Sequence, residues 1–238
     1  MDQRVPILMY HKVDRIHPRS LVKGHYVSPG LFSRQIQTLK LLGFESVGLN
    51  GLFEPDRPLP KRPVVITFDD GYQNFFDKAL PTLQKAKFES TVFLVARQLG
   101  GTNVWDVALG DVQEPLMAVE TVKLAASAGT QFGSHTLDHV DLEKASSEEA
   151  IAQIRGSKEL LESRLGFPIQ TFCYPYGRMN AETPSLVRDA GYRLACSTRK
   201  GANTDQTDRY ALRRINVRSD TWTPVLLLKL LRTARHGK

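Results

Sequence analysis

Two aspartates stand side by side in Thr67-Phe68-Asp69-Asp70-Gly71, directly after the apolar run Val64-Val65-Ile66, and His135-Thr136-Leu137-Asp138-His139 follows far downstream. Two imidazoles one helical turn apart, joined by one carboxylate from elsewhere, form a three-ligand set. Such a set leaves a metal coordination position open for water, as catalytic sites do and structural sites do not. One aspartate is then spare, and a metal beside a spare carboxylate points to hydrolysis. A third segment, Phe172-Cys173-Tyr174-Pro175-Tyr176-Gly177, reads as a strand entering an aromatic-proline turn. It could set a rigid backbone amide and an aromatic wall beside the metal. Each piece alone is weak, since Asp-Asp-Gly is commonly a turn and a His-x-x-x-His pair commonly faces solvent on a helix. The three together carry the reading.

Elements that could position these residues alternate along the chain. Strand-like runs occur at Val5 to Tyr10, Glu45 to Val47, Val64 to Phe68, Thr91 to Val95, Thr130 to Gly133, Gln170 to Tyr174, Arg193 to Ser197 and Leu212 to Val217. Helix signals fall between them: Ser28-Pro29 is an N-cap with proline in the first turn, and Ser146 with Glu149 makes a capping box. Alternation of this kind implies parallel βα units, and no glycine-rich nucleotide loop follows any strand. Seven or eight strands without an internal repeat favour a closed or nearly closed barrel. In such a barrel chemistry gathers at the C-terminal strand ends, which is where His11, Asp69, Asp70, His135 and Tyr176 fall. Residues 97–115, around Trp105 and Asp106, read as a long active-site loop.

At 238 residues, with 41 % apolar and 24 % charged residues, the chain fits one soluble globular domain spanning 1–238. The formal charge of +7 comes from scattered basic residues, which argues against nucleic acid as a partner. The sharper basic feature is the end of the chain, where Val225, Leu226, Leu227, Leu228, Leu230 and Leu231 mingle with Lys229, Arg232, Arg235 and Lys238. A helix over about 222–235 could pack its leucines on the core or lie on a membrane surface as a peripheral contact. Cys173 and Cys196 are far apart and read as two buried thiols. No secretory signal pattern opens the sequence, so the expectation is a cytoplasmic protein, with the inner membrane face as the place for a basic terminal helix.

These motifs resemble the polysaccharide deacetylases of carbohydrate esterase family 4, the nodulation-type deacetylase domain. Thr67-Phe68-Asp69-Asp70-Gly71 is similar to the family's first motif, His135-Thr136-Leu137-Asp138-His139 to its second, and Pro175-Tyr176 to the end of its third. The resemblance implies an α/β fold, a distorted (β/α)7 barrel in a single domain. It also implies a divalent metal, usually zinc, and removal of N- or O-acetyl groups from sugars. By position, Asp70, His135 and His139 would hold the metal, Asp69 would be the general base, and the backbone amide of Tyr176 would help hold the oxyanion.

Two departures from the family pattern stand out. Its third motif commonly begins with an Arg that pairs with the catalytic Asp, and Cys173 occupies that place here. Arg214, on the late strand-like segment, is the candidate partner for Asp69, with Arg213 facing the opposite side. The late Leu-x-His motif that supplies the general acid is also absent. His11, ending the first strand as in the subgroup with poly-N-acetylglucosamine deacetylases, is the candidate acid, with a satisfied structural histidine as the alternative. Trp105 suits stacking on a sugar face and Asp106 a sugar hydroxyl; Pro175 and Arg178 complete the candidate substrate contacts. His17, His25 and His236 read as solvated surface residues. The substrate expected is an N-acetylated sugar, glycan or glycan precursor, lipid-linked or nucleotide-linked forms included, with no oligomeric state implied. Hydrolysis of another small or cyclic amide, and a sugar-binding pseudoenzyme, are the competing readings.

Overall fold

The computed structural model describes residues 3–54 and 58–235. Seven parallel strands close into a barrel in chain order: β1 (Val5–Tyr10), β2 (Pro63–Phe68), β3 (Ser90–Leu94), β4 (Thr130–Ser134), β5 (Thr171–Cys173), β6 (Leu194–Lys200) and β7 (Leu212–Asn216). Each strand pairs with its successor. β1 completes the ring by matching Ile7 with Val65 on one side and Leu8 with Ile215 on the other. The helices are α1 (Pro29–Leu41), α2 (Leu80–Ala86), α3 (Val119–Ser127), α4 (Ser147–Leu165), α5 (Thr183–Asp189) and α6 (Thr223–Arg235).

Every residue of β1 and β2 is buried, because a parallel strand in such a barrel has the interior on one face and helices on the other. The two-residue period of the strands sorts the side chains. Val5, Ile7, Val65, Phe93, Cys173, Cys196 and Leu212 fill the interior, whereas Leu8, Tyr10, Ile66 and Phe68 join the larger cluster beneath the helices. Tyr10, Phe32, Phe68 and Phe75 pack edge-to-face or stacked there, anchoring α1 under the strand ends that carry His11 and Asp69.

The barrel is distorted at β5. That strand has three residues and meets β4 through a single registered pair, Ser134 with Phe172. The run expected at Glu45 to Val47 is not a barrel stave. Glu45–Ser46 is a two-residue strip against the start of β2, outside the ring. Both thiols are buried and free. Among the described residues no helix is long and apolar enough to cross a membrane.

Candidate active site

The chain reverses sharply where β2 ends. Asp70 and Gly71 both take positive φ, 75° and 78°, so the two carboxylates leave the strand in different directions. Gly71 is required there, because a Cβ would sit 2.8 Å from Leu94 Cδ2 in a conformation that side chains avoid. β4 ends in a comparable way. His135 and His139 lie on a turn rather than a helix, with Thr136 and His139 at φ 68° and 62°, so the expected helical spacing is replaced by a tight reversal. That strained turn is held by its surroundings. Thr136 Oγ1 accepts from His139 N at 2.9 Å, and Gln153 of α4 accepts from Leu137 N and Asp138 N.

Asp70, His135 and His139 converge. Asp70 Oδ1 lies 3.5 Å from His135 Nε2 and 3.3 Å from His139 Nε2, and it is buried without a hydrogen-bond donor. The other ring nitrogens are engaged elsewhere: His135 Nδ1 meets the Cys173 carbonyl at 2.7 Å and His139 Nδ1 the Tyr176 hydroxyl at 3.2 Å. Burial lowers the His135 pKa to about 4, so its ring is neutral. A carbonyl can only accept, so Nδ1 carries the hydrogen and the Nε2 lone pair points inward. An orphaned acceptor facing the His135 lone pair, with His139 Nε2 beside it, is a ligand set that fits a divalent cation.

A second trio, Asp69, His135 and Cys173, is also within chelating reach. It suits a metal poorly. Burial pushes the Cys173 thiol well above its usual pKa, leaving it protonated, and Asp69 is already taken by a guanidinium. Arg214, on β7, is fully buried and grips Asp69 with two parallel bonds, Nη1 to Oδ1 at 2.7 Å and Nη2 to Oδ2 at 2.8 Å. The guanidinium is itself steered by Ser197 O, Thr67 Oγ1 and Cys173 Sγ. Burial raises the Asp69 pKa and the Arg214 charge more than offsets it, so the carboxylate is ionised. Arg213 is exposed, as strand alternation requires. The thiol at position 173 thus leaves room for a guanidinium arriving from another strand.

His11 Nε2 stands 4.0 Å from Asp69 Oδ2. Burial, with His25 next, lowers its pKa to about 3, so it is neutral in the resting site. His25 is not the solvated residue expected. Its ring stacks on His11 at 4.0 Å between centroids and 12° between planes, because Lys12-Val13 and Tyr26-Val27 pair in parallel register. The legible signal was the repeated tripeptide pattern, His11-Lys12-Val13 and His25-Tyr26-Val27. Next along, Lys12 is wholly buried between the rings of Tyr26 and Tyr72, with Glu114 3.9 Å from its Nζ. His17 stays in a surface turn, and His236 lies outside the described residues.

The loop between β3 and α3 is pinned to the barrel by Met117 N to Gly71 O and Gln73 N to Pro115 O, both 2.9 Å. Trp105 stacks on His139 at 4.5 Å, closing one side of the ligand set, and Tyr176 stands edge-on to the same ring. Asp106 is buried and bonded to Asn103 Nδ2 at 2.8 Å, which places it in the loop's own framework. Burial raises its pKa. Pro175 is buried, while Tyr176 is half-exposed with φ 59°. Near the start of a short helical turn, the Tyr176 N–H has no carbonyl a turn earlier to bond. Arg178 is paired with Asp141 at 2.6 Å, so its charge is matched within the chain.

Comparison with known proteins agrees with this geometry. Residues 56–195 match the family described as Polysaccharide deacetylase. The poly-beta-1,6-N-acetyl-D-glucosamine N-deacetylase of Staphylococcus epidermidis is 26 % identical, the alignment covering 92 % of this chain and 81 % of that protein. The solved structure of the Streptococcus pyogenes deacetylase PplD in complex with acetate superposes with a TM-score of 0.81 at 26 % identity, covering 96 % of this chain and 99 % of that one. A polysaccharide deacetylase from Bacillus cereus also gives 0.81, at 25 % identity, over 96 % of this chain and 69 % of that one. The chain with the paired aspartates and the two-histidine turn belongs to the polysaccharide deacetylase family.

Proposed function

We propose that this deacetylase hydrolyses the N-acetyl group of a hexosamine glycan, with a β-1,6-linked N-acetylglucosamine chain as the first substrate to test. The observation that carries this reading is the juxtaposition at the end of β2. Asp70 presents an orphaned oxygen to two imidazoles, while Asp69 is held ionised by Arg214. One carboxylate and two imidazoles suit zinc among the common divalent ions. When bound, the cation would supply Lewis acidity toward the acetyl carbonyl and the attacking water.

The chain's own residues divide the remaining work. Asp69 takes the proton of the attacking water on a carboxylate oxygen, and Arg214 fixes that carboxylate in place. The Tyr176 backbone N–H donates to the developing oxyanion. The same proton must end on the departing sugar nitrogen. His11, neutral at rest and 4.0 Å from Asp69, is placed to relay it there rather than to donate from a charged resting state. Trp105 and Tyr176 flank the His139 ring and exclude water from that side.

The test is acetate release by metal-quantified protein, across N-acetylglucosamine monomer, β-1,6-linked and β-1,4-linked oligomers, and a panel of cyclic ureides. Release confined to the hexosamines, with the β-1,6 series fastest, is expected. Turnover of the ureides alone would overturn the glycan reading. Stoichiometric metal with no turnover of any substrate would assign the site to sugar binding instead.

A further inference from the structure

The opposite end of the barrel carries a second organised surface. A groove of about 730 Å³ runs between the starts of β1 and β2, the end of α1 and the last turns of α6. Its apolar walls are Leu42, Phe44, Leu227, Leu230 and Leu231, and its charged members are Arg4, Lys61 and Arg62, with no carboxylate among the lining residues. Large apolar side chains stand in solvent in the lining and directly beside it in sequence: Leu231 is 56 % exposed, Leu41, next to Leu42, 86 % and Leu228, next to Leu227, 47 %. Leu228 and Leu231 are three apart on α6, hence neighbours on one face, while Leu226 and Leu230 of the same helix are buried. On α6, Arg232 is exposed one residue from Leu231, while Lys229 turns to Asn216 O and Thr221 Oγ1. Glu45, on the strip beside β2, stands in register with Pro63 of the groove lining.

Exposed leucines beside an apolar groove, rimmed by cations and free of carboxylates in its lining, have the chemistry of an interfacial contact. We propose that this end of the barrel docks on an anionic lipid bilayer, with the leucines and the groove among the acyl chains and the cations against lipid phosphates. β1 and β2 connect the two surfaces. Arg4 and Lys61–Arg62 precede these six-residue strands, and His11 and Asp69 follow them, about 20 Å away at 3.3 Å per residue. Docking therefore turns the catalytic mouth away from the membrane. A substrate extending outward from the surface can reach it, and a sugar held at the lipid headgroups cannot.

Binding is read without turnover, so this inference stands or falls apart from the glycan assignment. The experiment is co-sedimentation of the metal-loaded chain with phosphatidylcholine vesicles and with vesicles of equal phosphatidylcholine and phosphatidylglycerol. Partition to the anionic vesicles alone is expected, weakened about tenfold or more at 0.5 M salt, where screening is nearly complete over about 4–5 Å. The double variant Leu228→Glu/Leu231→Glu alters solvent-exposed positions, so it should keep its fold, its metal content and its activity on soluble oligomers, and lose about tenfold or more in partition. Equal binding to both vesicle types overturns the proposal. So does undiminished binding of that variant combined with loss in Val107→Glu/Leu109→Glu, which would move the contact to the catalytic rim. A wild-type dimer in solution that the Leu228/Leu231 variant splits would assign the face to a second copy of the chain.

Discussion

The two halves of the active site are built by different means. Asp70, His135 and His139 come from two short segments, each reversed through positive φ directly after a strand, and they leave a buried acceptor facing two imidazole nitrogens. Asp69, Arg214, Cys173 and His11 come from four separate strands; the first three satisfy one another through a bidentate ion pair and a thiol contact, with His11 4.0 Å from Asp69. The first half leaves Asp70 Oδ1 without a donor, the opening the proposed cation would fill. The second is electrostatically complete without one. Damage to the metal half should therefore appear in metal content, and damage to the base half in stability and pH dependence.

The largest expected effect separates the adjacent carboxylates. Asp70→Asn should lose both the metal and turnover, the latter on the order of 10³-fold or more, as several kcal/mol of charge stabilisation disappear. Asp69→Asn should lose about 10²- to 10⁴-fold in kcat while keeping its metal, read by metal quantification beside kinetics. A metal-free Asp69→Asn protein would merge the two halves into one.

Arg214→Ala comes next. It strands an ionised carboxylate in the core, and about 3–5 kcal/mol of unfolding free energy should be lost, measured by denaturant titration near neutral pH. The sign follows from the lowered Asp69 pKa. The pair's stabilisation is present above the ordinary aspartate range and is lost as pH falls through the depressed native value. Without Arg214 burial dominates, so the acid limb of kcat/KM should move to higher pH. An unchanged limb would show that Arg214 does not hold the base.

Tyr176→Phe gives the smallest effect. Losing the hydroxyl against His139 Nδ1 should weaken metal affinity about 10-fold, the lower end for such outer contacts, with the backbone amide retained. A fall in kcat without a change in metal affinity would place the hydroxyl on the substrate instead.

The residues legible from sequence were those whose role depends on a strand end beside them. Asp69, Asp70 and His11 directly follow apolar runs, and Arg214 could be proposed because strand period two separates it from Arg213. The spacing of His135 and His139 matches one helical turn, and the tight turn found there is not legible because neither Thr136 nor His139 is glycine and nothing local announces positive φ. His25 looked solvated because its polar surroundings in sequence outweighed the repeated His-x-Val pattern, and only the pairing of Lys12-Val13 with Tyr26-Val27 sets its ring on His11. Asp106 could be named from its loop as a sugar contact, but the Asn103 amide that holds one of its oxygens acts only through the folded loop.

By itself the amino-acid order determined the alternation of strands and helices, the barrel class and the chemical types at the strand ends, because period and motif are local properties. Tertiary structure decided the partnerships: which strand supplies the cation for Asp69, which imidazole faces which oxygen, and which leucines of α6 remain in solvent. Those depend on barrel closure, where β1 meets both β2 and β7 and brings positions 11, 69 and 214 together at one rim. Ring closure joins residues distant along the chain, and no window of sequence contains both sides of such a contact.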